Sequence, residues 1–219
     1  MAPPPIEPAR VAAAQIPRVY SRVAPVYDLW GHLTESNARA RALALAAVRD
    51  GEDVLEVAVG TGLAFEQLVR ANPRGRTEGV DVTEAMMARA AGKVRDLPGT
   101  HPLTLADARA LPFADASFDL LLNNYMFDLL PEADFEVVLA QMRRVLRTAG
   151  RLVLVNMAVP AARRHALYLW LYRRAPELMG GCRPVALAPH LERAGFAVIT
   201  REYVSQLGFP SEVILALPG

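Results

Sequence analysis

A single cysteine, Cys182, leaves this 219-residue chain no partner for an intramolecular disulfide and no cysteine cluster to hold zinc. No metal is therefore expected, and a reducing compartment, the cytoplasm, is the expected location. Excess charge of either sign is missing too. Twenty-four Lys and Arg against 23 Asp and Glu leave a formal net charge of +1, so no general basic field draws a nucleic acid. No apolar run approaches the roughly 18 residues that cross a bilayer. The N-terminus lacks the apolar core of a signal peptide, and residues 1–15, opening Met1-Ala-Pro-Pro-Pro-Ile-Glu-Pro, read as a disordered lead. Internal repeats are absent. What is present is a 53% apolar composition, enough for one compact domain over residues 16–219 that buries about 70% of its unfolded surface.

The most informative stretch is Asp53-Val-Leu-Glu56-Val-Ala58-Val-Gly60-Thr61-Gly62. A short apolar strand carries an acidic residue near its end, then a glycine turn, then an amphipathic helix. An α/β sheet builds a nucleotide-sized site in this way, at the carboxyl end of its first strand. A dinucleotide fold needs Gly-x-Gly-x-x-Gly, and here Phe65 stands where the third glycine would let the helix pack beneath a pyrophosphate. Glu56 would also repel phosphate and welcome an ammonium group. The ligand that suits these residues contains adenosine, is cationic and lacks phosphate.

This stretch resembles the first motif of the class I S-adenosylmethionine-dependent methyltransferases, an acidic residue followed by Gly-x-Gly-x-Gly, with Ala58 where the first glycine usually stands. At a positive φ that alanine strains its loop; at a negative φ it costs nothing. The features that follow keep the family's order. Thr77-Glu-Gly-Val-Asp81 ends in a carboxylate about 20 residues past Gly62, the separation at which it reaches a ribose hydroxyl pair. Val82 follows, Thr83 is a candidate N-cap, and Met86 is placed to cover an adenine face. Leu103-Thr-Leu-Ala-Asp107-Ala108 closes on a third carboxylate. The resemblance implies that Asp107 accepts the adenine amino proton and that the amide of Ala108 donates to the ring.

The run from Leu111 to Tyr125 resembles the branch that includes the ubiquinone and menaquinone C-methyltransferases and the bacterial phospholipid N-methyltransferases. Tyr20-Ser-Arg-Val-Ala-Pro-Val-Tyr27-Asp28 is similar to that branch's leading segment, which folds across the cofactor. Tyr20 and Tyr27 are therefore candidates for cation–π contact with a sulfonium, at most about 2 kcal/mol in a dry site, or for half-buried packing. As a whole the resemblance implies S-adenosylmethionine as cofactor, with Glu56, Gly60 and Gly62 at its methionine end, Ala58 and Thr61 in the same loop, and a small-molecule or lipid-like methyl acceptor.

Apolar period and punctuation predict helices near 11–29 and at 35–49, the second stopped by Asp50-Gly51. They then predict strands at 53–58, 77–81, 103–106, 118–123 and 150–156, with helices at 63–71, 84–95 and 132–147. Such alternation means a parallel sheet with helices on both faces. The last two strands, 196–204 and 212–217, have no helix between them for a parallel crossover and should pair antiparallel. The expected fold is thus α/β, a Rossmann-like seven-stranded sheet, mostly parallel, with an antiparallel C-terminal hairpin. In the helix at 132–147, Phe135, Val138, Leu139, Met142 and Leu146 form a core stripe. Residues 16–50 are read as an N-terminal helical lid and 157–195 as an insertion that covers the substrate. Within the insertion, residues 162–174 set Leu167, Trp170 and Leu171 on one face between paired arginines, which suits packing on the sheet or a transient membrane-surface contact.

Methyl transfer from a sulfonium is an in-line displacement. Holding the acceptor about 3–3.5 Å from the methyl carbon in a dry site supplies much of the acceleration, and a base is needed only for a protonated acceptor. Candidates at the carboxyl edge are Asn123, Asn124, Tyr125 and Asp128 after the fourth strand, and His32 before the sheet. Asn123 is expected to contact the cofactor's methionine end or backbone, Tyr125 to orient an acceptor atom, Asp128 to attract an amine and His32 to act as base. Each has an ordinary alternative as a loop or packing residue. A nicotinamide-dependent oxidoreductase and an inactive adenosyl-ligand binding protein are the competing readings. Binding of S-adenosylmethionine against NAD separates the first, and methyl transfer the second.

Overall fold

The computed structural model describes residue 28, residues 31–159, residue 174 and residues 182–219. Tyr20, Tyr27, the 1–15 lead, most of the expected 11–29 helix and nearly all of the 162–174 stretch lie outside the described residues.

The elements run α1 (Ser36–Ala46), β1 (Asp53–Val57), α2 (Phe65–Ala71), β2 (Arg76–Asp81), α3 (Glu84–Val94), β3 (Leu103–Leu105), β4 (Phe118–Asn124), a 3-10 turn (Glu132–Asp134), α4 (Phe135–Val145), β5 (Leu146–Met157), α5 (Ala188–Arg193), β6 (Phe196–Gln206) and β7 (Phe209–Pro218). They build one seven-stranded sheet in the order β3-β2-β1-β4-β5-β7-β6. Strands β1 to β5 pair parallel, and β7 runs antiparallel to both β5 and β6. The expected sheet and hairpin are both there. The strand order reverses between β1 and β4, so the crevice beyond their carboxyl ends is where such sheets bind ligands.

Alternate strand residues feed two core layers. On one face Leu55, Val57, Phe118 and Leu121 meet the α4 stripe of Phe135, Val138, Leu139 and Met142. Phe127 and Phe135 meet edge to face at 5.2 Å. On the other face Val54, Leu120, Leu122, Val153 and Val155 meet Ala38, Ala42 and Ala46 of α1. Those alanines recur every four residues, so they share one side of the helix and let it lie close to the sheet. Each large apolar side chain so buried contributes about 1.5–3 kcal/mol.

Two helix ends differ from expectation. Helix α1 stops at Ala46 because Ala47 turns left-handed (φ 44°). The Arg151 guanidinium on β5 donates to the carbonyls of Ala46 and Ala47 and pairs with Glu52, so a distant side chain terminates the helix. Helix α4 ends at Val145, since Leu146 is already extended and paired with Phe118. Among the described residues, no helix is long and apolar enough to cross a membrane.

Candidate active site at the carboxyl edge of the sheet

The turn after β1 is tied to β2 by the Val59 amide, which donates to the Val80 carbonyl at 3.1 Å, and is closed by Gly62 donating to Val59 at 3.0 Å. Three positions within it have positive φ: Ala58 at 61°, Gly60 at 57° and Gly62 at 84°. Ala58 is therefore the strained case, an L side chain in the left-handed region at a cost of roughly 1–2 kcal/mol. Gly62 is needed for space as well, because a Cβ there would lie 2.8 Å from Ala90 on α3. At Gly60 a Cβ would meet nothing within 4 Å, and its amide points to Asp81.

Asp81 ends β2 with 9% exposure. Its Oδ2 accepts from the Gly60 amide and its Oδ1 from the Thr83 amide, each at 2.8 Å. Burial raises the carboxyl pKa, and these backbone donors work against that rise. Thr83 is the N-cap of α3 but makes no side-chain capping bond; its amide serves Asp81 instead.

Above these strand ends lies a cleft of about 880 Å³, lined by Asp81, Val82, Met86, Asp107, Ala108, Asn124 and Tyr125 among others. Asp81, Val82, Met86, Asp107 and Ala108, all expected at the cofactor, line this one cleft. Asp107 is not bare, however. The Arg109 fork donates to both of its oxygens at 2.7–3.1 Å and also reaches Asp134 at 3.1 Å. The guanidinium holds the Asp107 carboxyl below the usual range, and a ligand amino group would share its remaining lone pairs.

A second cavity of about 400 Å³ shares Ala58, Gly60, Asn124 and Tyr125 with the first and adds Glu35, Arg39, Glu56 and Thr61. Glu56 is fully enclosed; its Oε1 accepts from Asn124 Nδ2 at 3.2 Å and its Oε2 has no partner. Burial, with nearby Asp81 adding to it, pushes the Glu56 pKa up to about 8 against the opposing pull of Asn124 and Arg39. Glu35 is pushed up to about 7 by burial, against Arg39. A buried carboxyl group with one oxygen unpartnered, beside a carboxylate that already accepts backbone amides, is suited to an ammonium group and a hydroxyl pair held side by side.

Four expected residues take other places. The Asn123 side chain donates to the Val57 carbonyl at 2.7 Å and does not line the cleft; one residue on, across the strand's alternation, Asn124 does. Tyr125 lines both cavities, but its hydroxyl is spent on Ser211 at 2.8 Å, and burial pushes its pKa well above the ordinary value. It lines the site and does not offer a free hydroxyl. Asp128 is wholly buried, accepts from the Met157 amide at 2.9 Å and lines neither cavity, so it ties β5 to the loop after β4 rather than attracting an amine. His32 is exposed and lines neither cavity; its Nδ1 lies 3.4 Å from Arg39 Nη2.

Sequence reasoning missed Glu35 and Arg39, which look like an exposed i, i+4 pair at the start of a polar helix. The alanine spacing of α1, which presses that helix onto the sheet, was the available signal. It also missed a clamp on the glycine loop. Asp28 accepts from the Thr61 hydroxyl, while Lys93 Nζ donates to Asp28 at 2.7 Å and to the Thr61 carbonyl at 2.9 Å. Burial raises the Asp28 pKa, and the bonds from Lys93 and Thr61 outweigh it and hold the carboxyl low.

Comparison with known proteins agrees with this geometry. Residues 54–150 match the model of a methyltransferase domain. The chain is 38% identical over 168 residues to the ubiquinone/menaquinone biosynthesis C-methyltransferase of Paracoccus denitrificans, covering 71% of this chain and 63% of that one. It is 39% identical over 145 residues to the phosphatidylethanolamine N-methyltransferase of Cereibacter sphaeroides, covering 64% and 67%. The chain thus spans about two thirds of the length of these relatives. Among solved structures, the 1,6-didemethyltoxoflavin-N1-methyltransferase of Burkholderia thailandensis, with bound 1,6-didemethyltoxoflavin and S-adenosylhomocysteine, superposes with a TM-score of 0.74 at 18% identity, over 100% of this chain and 93% of that one.

Proposed function

The chain belongs to the S-adenosylmethionine-dependent methyltransferases, and on that premise we propose that it moves a methyl group from S-adenosylmethionine to a small or amphiphilic acceptor. The supporting observation is the pairing, across two adjoining cavities, of Asp81 between two backbone amides with Glu56 on the neighbouring strand, whose Oε2 has no partner. Asp81 takes the ribose hydroxyls. Glu56 takes the ammonium of the methionine arm, Met86 and Val82 wall the base, and Asp107 with the Ala108 amide reads its edge.

Bound in this way, S-adenosylmethionine supplies a methyl group on a sulfonium, activated for in-line attack. The protein's own contribution is position and dryness. Gly60, Thr61 and Gly62 fix the methionine arm, and the Asp28–Lys93 clamp stiffens that loop. Tyr125, which lines both cavities, stands at their junction, where an acceptor meets the methyl group. With the Tyr125 hydroxyl, Asp128 and His32 engaged elsewhere, no base at the junction is assigned. An acceptor that arrives nucleophilic, such as a quinol carbon or oxygen or a neutral lipid amine, suits the site. The Paracoccus and Cereibacter relatives carry names that fit those two acceptor classes. A cytoplasmic location, with transient membrane contact for amphiphilic acceptors, completes the reading.

The test is a screen of S-adenosylhomocysteine release from S-adenosylmethionine over phenols, quinols, amines, thiols and lipid vesicles. Acceptor-dependent release with at least one class is expected. Binding of the cofactor without release on any acceptor would favour an inactive adenosyl-binding protein.

A further inference from the structure

The smaller cavity collects three charged side chains: Glu56 from β1, Glu35 just before α1 and Arg39 one turn into it. All are more than nine-tenths buried, at 1%, 9% and 6% exposure. Glu56 Oε2 and Arg39 Nε have no hydrogen-bond partner. Gly31 sits beneath the helix pair, where a Cβ would come within 3.3 Å of Glu35 Oε2 and 3.8 Å of Arg39 Nη1, so these two groups share one small space. The cavity therefore holds two carboxyl groups against one guanidinium, so when both are ionised one negative charge is left uncompensated unless a ligand completes it.

We propose that Glu35 is the residue by which this site tells the charged methyl donor from its neutral product. This rests on the reading that the chain binds S-adenosylmethionine. Donor and product carry the same ammonium and carboxylate on the methionine arm, and Glu56 and Arg39 match those two groups in both. One carboxylate, Glu35, is left over. The donor has one more cation, the sulfonium, and the product has a neutral thioether in its place. Glu35 thus attracts the donor alone, in a buried setting where a unit charge counts for more than in water. Once the methyl group has left, Arg39 is shared between Glu35 and the product's carboxylate, and the product is held less tightly. Burial sets the Glu35 pKa at about 7, so the group can take up a proton when the sulfonium is gone.

The test compares calorimetric affinities for S-adenosylmethionine, for sinefungin, which carries an ammonium in place of the methylsulfonium, and for S-adenosylhomocysteine. Wild type, Glu35→Gln and Glu56→Gln are measured at pH 6 and pH 8. At pH 8 wild type should bind the two cationic ligands about tenfold or more tightly than S-adenosylhomocysteine. Glu35→Gln should bring that ratio within about twofold by weakening only the cationic ligands, and Glu56→Gln should weaken all three and keep the ratio. At pH 6 the wild-type ratio should shrink as Glu35 takes up its proton. Arg39 and His32 on the same helical stretch, Glu56 on β1, and Tyr125 and Asp128 after β4 face or influence Glu35. Glu56 acts on the arm common to all three ligands, so its own protonation cancels in the ratio.

An unchanged ratio in Glu35→Gln, or a loss of S-adenosylhomocysteine affinity equal to that of the donor, overturns the proposal. Equal wild-type ratios at pH 6 and 8 overturn it as well, and that arm needs no folded variant. Failure of wild type to bind any of the three ligands would instead overturn the methyltransferase reading beneath it.

Discussion

Lys93 on α3 donates its ammonium to the carboxylate of Asp28 at 2.7 Å across 65 residues of chain, and the Asp28 carboxylate also accepts from the Thr61 hydroxyl in the glycine loop. Asp28, the glycine loop and α3 are therefore joined at one point. Asp28→Ala should weaken binding of S-adenosylhomocysteine several-fold and speed hydrogen exchange at Gly60 and Thr61. Global stability should move by less than about 1 kcal/mol, because the pair is partly solvated, at 22% and 34% side-chain exposure. Exchange at Gly60 and Thr61 identical to wild type would show that Asp28 does not hold the loop.

Ala58 carries the loop's conformational cost, with φ at 61°. Glycine removes that cost, and part of the gain is returned as extra freedom in the unfolded chain. Ala58→Gly should raise the unfolding free energy by about 0.5–1 kcal/mol in urea titrations. A variant less stable than wild type would mean that the alanine methyl packs to better effect than its backbone strains.

Glu56 titrates near 4.5 in the unfolded chain and at about 8 in the fold. Between those values the folded protein keeps a proton that the unfolded chain has lost. The stability linked to this group is thus full below pH 4.5 and is lost as pH rises through about 8. An ammonium ligand reverses the preference by favouring the carboxylate. Binding of S-adenosylhomocysteine at pH 7 should therefore release a proton, and affinity should rise from pH 6 to 8. Calorimetry in two buffers of different ionisation enthalpy reads that proton, and Glu56→Gln should abolish its release. Proton uptake by wild type would contradict the assignment of Glu56.

Much of this site was legible in the sequence, because its fixed points are strand ends. An acidic residue closing an apolar run marks a carboxyl edge, and Glu56, Asp81 and Asp107 do gather there. Exchanging Asn123 for Asn124 is a one-residue matter that flips a side chain across the sheet, and β4 carries a register shift between Phe118 and Leu120 that local pattern does not reveal. Tyr125 and Asp128 were placed at the right edge, but their partners, Ser211 and the Met157 amide, lie 86 and 29 residues away. Glu35 and Arg39 were overlooked for a different reason. Charge at a helix start reads as solvated, and only tertiary packing of the alanine face of α1 buries them.

Whether this cleft holds an adenosyl ligand by its ribose and methionine arm is read by calorimetric titration of S-adenosylhomocysteine into wild type and Asp81→Ala. Asp81 supplies charge-assisted acceptors that water replaces poorly in a cleft. One saturable site is expected in wild type, with affinity weakened on the order of 10-fold or more in a folded Asp81→Ala variant and no heat from NAD. Equal affinity in the two proteins, or NAD binding in place of S-adenosylhomocysteine, would contradict this mode of binding.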